Sequence, residues 1–80
     1  MFKTSHYIVY PEGDIQEIGH WLKINQLVDL NGYPLQVPLP SERMIAYRVI
    51  KISTKSSRHT EERYYELELV PVHELTEFVE

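Results

Sequence analysis

The sequence predicts a mainly β domain: a small antiparallel meander curled into a partly open, SH3-like barrel of four to five strands, with a short C-terminal helix. Three observations lead there. Residues 63–70 alternate apolar and polar side chains with period two, residues 45–52 are rich in β-branched and aromatic types, and Asn31-Gly32 stands between two apolar arms as a hairpin turn would. The chain has 80 residues, enough for one core and too few for two, so residues 1–80 form a single domain. A hydrophobic share of 42% beside 25% charged residues excludes wholesale disorder. A domain of this size removes only about 60% of its unfolded surface from water, which leaves it prone to lean on a partner or a second copy.

Each element follows from local chemistry. His6 to Tyr10 reads as a strand ended by Pro11-Glu12-Gly13. Residues 14–23 carry two patterns at once. Asp14 with Glu17 resembles a capping box, and Ile15, Ile18 and Leu22 fall at helical spacing, which predicts a short helix over 14–22. Gly19 opposes that helix, and residues 20–24 serve equally as a strand extending into the next arm.

A type I′ turn at Asn31-Gly32 pairs Leu30 with Tyr33, Val28 with Leu35, Gln26 with Val37 and Ile24 with Leu39 on one nearly apolar side. Asp29, Leu27 and Asn25 then share the solvent side with Pro34, Gln36 and Pro38. Because proline removes a ladder donor, Pro34, Pro38 and Pro40 mark a sheet edge and an exit from the sheet over 37–40. Strands 45–52 and 63–70 pair with each other. The stretch Ser53–Glu62 between them has no apolar anchor and is expected as a mobile loop. Pro71 ends the second strand, and Val72, Leu75, Phe78 and Val79 provide one apolar side for a short terminal helix.

Chemistry-bearing patterns are sparse. No cysteine is present, and the histidines at 6, 20, 59 and 73 fall on separate elements without the i,i+4 spacing that places two ligands on one helical face. Three glycines are too scattered to cradle a phosphate. The serines lack a nucleophile elbow, and the pairs Glu61-Glu62 and Glu66/Glu68 belong to a loop and to the wet face of a strand. No catalytic residue, metal or cofactor is therefore expected, and the domain is not expected to be an enzyme. The longest apolar run, residues 7–10, is far too short to cross a bilayer, which makes a cytoplasmic, non-membrane protein the expectation.

Charge is the most uneven feature. The net charge is -4, yet Arg43, Arg48, Lys51, Lys55 and Arg58 lie in one stretch free of acids, and from Glu61 onward Arg63 is the single Lys or Arg. Paired strands would neutralise these blocks against each other. A free tip carrying Lys55 and Arg58, with Arg48 and Tyr47 below, would instead grip an anion, with Tyr47 or Tyr64 available for stacking. Alternation turns Tyr65 inward and Tyr64 outward, beside Ile50, among six tyrosines of the kind enriched at interfaces. The candidate binding residues are thus Tyr47, Arg48, Lys51, Lys55, Arg58 and Tyr64. The expected function is a protein-interaction or accessory module whose partner is another protein or itself. Nucleic acid, bound through the basic segment 43–58, is the alternative.

Overall fold

The computed structural model describes residues 3–41 and 43–79. Five strands, β1 (Lys3–Val9), β2 (Ile15–Ile18), β3 (Leu27–Val28), β4 (Tyr47–Ser56) and β5 (Thr60–Leu69), form one curled half-barrel sheet in the order β2-β1-β5-β4-β3. One helical turn, α1 (Val72–Leu75), runs into a 3-10 turn, Thr76–Phe78. The mainly β class and the short C-terminal helix are as the sequence predicts.

The strand connections depart from a simple meander. β1 pairs with β2 antiparallel but with β5 parallel, from Lys3 opposite Thr60 to Val9 opposite Glu66. No hairpin can make that contact, so the alternation within each strand could not reveal it. The helix considered over 14–22 is replaced by β2. Ile18 pairs with His6, and its burial against the curl outweighs the weak helical spacing, while residues 21–23 run without strand structure.

The loop expected over 53–62 is instead strand. β4 extends to Ser56, β5 begins at Thr60, and Ser57 N–H donates to Thr60 O at 2.8 Å to close a tight turn. Backbone pairing to β5 and β1 supplies here what apolar side chains do not, because every inward group finds a ladder partner. The hairpin extends a molecule measuring 46 × 23 × 17 Å.

The Asn31-Gly32 reversal is present with a different geometry. Only Gly32 takes a left-handed φ, +87°, whereas a type I′ turn needs two such residues. Gly32 N–H donates to Asp29 O, Asp29 N–H donates to Tyr33 O, and Asp29 Oδ1 accepts from the amides of Asn31 and Tyr33. This loop moves the register by one, so that Val28 bridges Pro34 rather than Leu35. Leu30 and Tyr33 consequently point to solvent, at 50% and 60% exposure, and the apolar side expected for this ribbon does not form.

Two cores result. Ile8, Ile18, Leu22, Val28, Tyr47, Val49, Tyr65 and Leu67 fill the concave side. Leu27, Leu39, Ala46, Val70 and Leu75 form a second cluster under α1. The two residues of β3 point to opposite faces, Leu27 into one cluster and Val28 into the other. Pro34 lies at the sheet edge as expected, and residues 35–40 run outside the strands, tied back where Leu35 N–H donates to Leu27 O of β3 and Leu39 N–H to Phe78 O. In β4 the pairing skips from Val49 opposite Leu67 to Lys51 opposite Glu66, leaving Ile50 as a bulge that sharpens the curl.

Candidate functional site

The six residues singled out from sequence do not converge. Tyr47 is buried in the concave core, edge-on to Tyr10. Arg48 is held at the base of the sheet, where Nε donates to Glu68 Oε1 at 2.9 Å and Nη2 to Glu74 Oε2 at 2.8 Å. Lys51 lies 3.8 Å from Glu66, and Lys55 stands opposite Glu62 in the ladder. The opposite charges thus meet across the strands. Arg58 lies in the turn at the hairpin tip, between the end of β4 at Ser56 and the start of β5 at Thr60. Tyr64 is outward, but its register partner is Ser53 rather than Ile50, and its ring stacks on Tyr7 at 5.1 Å.

What the fold does bring together lies on the concave side. Alternation along β1 and β5 points His6, Arg63 and Tyr65 inward, and the parallel pairing puts His6 opposite Arg63. Trp21, on the irregular chain after β2, closes the group. Its ring contacts His6 edge-on at 4.6 Å, and the Arg63 guanidinium sits 4.8 Å from its centroid, within cation–π range. Trp21 is nevertheless 60% exposed.

Arg63 Nε donates to the Tyr65 hydroxyl at 3.2 Å, and that hydroxyl lies 2.9 Å from His6 Nδ1. Arginine only donates, so the hydroxyl accepts from Nε; in the tautomer of neutral His6 that carries its proton on Nε2, the tyrosine proton is directed to Nδ1. Burial of the imidazole lowers the His6 pKa below its usual value, and the positive charge of Arg63 and the neighbouring His20 act in the same direction, against the weaker opposing pull of Glu61.

Beside this group the seam of the half-barrel is closed by side chains. Tyr10 hydroxyl donates to Leu30 O at 2.6 Å, Gln16 Nε2 to Asn31 O at 3.4 Å, and His20 Nε2 to Gly32 O at 2.7 Å. Three successive carbonyls of the 29–33 loop are thereby satisfied without a strand partner. An open cleft of about 400 Å³ lies at this seam, with His20 stacked on exposed Tyr33 at one wall. Among the described residues no three His, Asp or Glu side chains converge as a metal site would require, and no helix is long and apolar enough to cross a membrane.

Sequence reasoning placed Tyr65 inward but missed the cluster around it. The signal was the alternation of β1 read together with that of β5. Only the parallel pairing of these distant strands superimposes the two patterns.

A curled half-barrel that presents one exposed tryptophan, a stacked arginine and a buried histidine on its open side belongs to the class of small β-barrel domains. Residues 2–78 match the model of the family described as "Uncharacterised Treponema protein", and the chain belongs to that family. No curated protein and no solved structure matches it.

Proposed function

We propose that this protein is a non-enzymatic, cytoplasmic accessory module, an SH3-like small barrel that binds a segment of another protein on its concave side. The observation that carries the reading is Trp21, which is 60% exposed although it touches both His6 and Arg63. A large ring fixed by two neighbours and still wet offers area at little entropic cost, the quality that enriches tryptophan among binding hot spots.

Trp21 is the single tryptophan of the chain, so its fluorescence reports the surface directly. Peptides selected from a random display library against the full chain are expected to shift Trp21 emission with saturation. They are expected to lose binding to Trp21→Ala while its unfolding temperature stays near that of the parent. Selected peptides that leave the emission unchanged would overturn the reading.

Nucleic acid remains the second reading because Lys3, Lys55 and Arg58 cluster at the hairpin end, where β1 and β5 begin. It predicts amide shifts at 55–60 with a short oligonucleotide, fading as salt rises.

A further inference from the structure

The two arginines of the sheet are partnered very differently. Arg48 holds two carboxylates within hydrogen-bonding distance. Arg63 donates only through Nε, and its acceptor is a neutral hydroxyl. The one acid near it, Glu61, stops with Oε1 at 3.8 Å from Nη1, beyond a hydrogen bond. Among the described residues the outer end of the Arg63 guanidinium therefore has no hydrogen-bonded acceptor, although its side chain is only 22% exposed. The Trp21 ring 4.8 Å from Cζ and the Nε bond to Tyr65 hold the guanidinium from two sides, and a planar fork held in place is the geometry that takes a carboxylate through two parallel hydrogen bonds.

We propose that Arg63 is the anchor for an acidic side chain, aspartate or glutamate, of an extended protein segment whose neighbouring apolar residue lies against Trp21. This rests on the reading of the concave side as a protein-binding surface. The charge pattern fits such a ligand. At the hairpin end Lys3, Lys55, Arg58 and Arg63 outnumber Glu61 and Glu62, with Lys3 and Lys55 on the convex side by the strand alternation and Arg63 on the concave side, so this end carries a positive excess on a chain of net charge -4. An acidic segment is drawn to this end and repelled by the rest of the molecule. Glu61 is the internal competitor, and its 3.8 Å separation leaves room for an incoming carboxylate to make the closer contact.

The test uses Trp21 fluorescence of the unmodified chain with three pentapeptide probes. The first alternates leucine and glutamate and is capped at both ends. The second replaces glutamate by glutamine. The third is the glutamine peptide with a free C-terminal carboxylate. The glutamate peptide is expected to bind about tenfold more tightly than the capped glutamine peptide, the size of one charge-assisted hydrogen-bonded contact, and the difference is expected to vanish in Arg63→Gln. Should that variant fail to fold, the comparison on the unmodified chain still decides. Equal binding of the two capped peptides would overturn the carboxylate anchor while leaving the protein-binding reading in place. Tightest binding of the free-terminus peptide would overturn the choice of a side-chain acid. No response to any probe, together with no Trp21-reporting peptide from the library, would overturn both.

Discussion

His6 Nδ1 lies 2.9 Å from the Tyr65 hydroxyl, and the same hydroxyl accepts from Arg63. Protonating His6 would put a second donor against the tyrosine proton and a positive charge beside a guanidinium. With the folded pKa lowered from 6.5, the unfolded chain binds the proton more readily. The stability this histidine contributes is thus fully present above its unfolded value of 6.5 and is lost as pH falls through the lowered folded pKa. The unfolding temperature is expected to drop with acidification below about 6.5. His6→Asn, which keeps an acceptor near the Nδ1 position, is expected to flatten that part of the profile. An unchanged slope in the variant would show that the drop comes from elsewhere.

Gly32 sits at φ +87°, and a Cβ built there would lie 2.9 Å from Ile8 Cδ1 and 3.1 Å from Ile18 Cγ2. Ile8 is fully buried, so its Cδ1 can give way only by displacing packed neighbours. Gly32→Ala is expected to lose roughly 1–3 kcal/mol in denaturant unfolding from strain and overpacking together. Adding Ile8→Val removes the nearer methyl and is expected to restore part of the loss, but not the share due to φ.

The carbonyl clamp at the seam offers a third check. Tyr10→Phe removes the donor to Leu30 O and leaves the ring against Tyr47. A loss of about 0.5–1.5 kcal/mol is expected. Faster amide exchange confined to residues 29–33 should accompany it.

Arg48 ties β4 to β5 through Glu68 and to α1 through Glu74. The Arg48 and Glu74 side chains are 23% and 33% exposed, so solvent screens the contact. A double-mutant cycle with Arg48→Met and Glu74→Gln is expected to give a coupling of roughly 0.5–1 kcal/mol, shrinking at high salt. Zero coupling at low salt would mean that Leu75 and the Leu39–Phe78 backbone bond hold the terminal turn without Arg48.

Local pattern made much of the fold legible, because β4 buries Tyr47 and Val49, β5 buries Tyr65 and Leu67, each pair at alternate positions, and the terminal turn buries Leu75. Length was underestimated wherever the ladder, rather than side chains, holds the strand, as at 53–56 and 60–62. The one-residue shift at Val28 and Pro34 was hidden because Asn-Gly dipeptides serve more than one loop, and Asp29 selects this one by accepting from two amides. The charge pairing of Arg48 with Glu68 followed directly from strand pairing. The His6, Trp21, Arg63 and Tyr65 group was illegible, since it depends on a contact between the first and last strands and on a tryptophan in irregular chain.

The parallel pairing of β1 with β5 also sets the order in which the domain can be made. The β4–β5 hairpin forms from neighbours in the chain, whereas β1 must wait for a strand synthesised almost a whole domain later. Such distant pairing slows folding relative to local contacts. On the ribosome, the hydroxyl that orients His6 and the guanidinium that stacks on Trp21 arrive only with β5. The concave surface is therefore among the last features to exist, and a chain stopped before β5 carries its tryptophan but has nowhere to seat it.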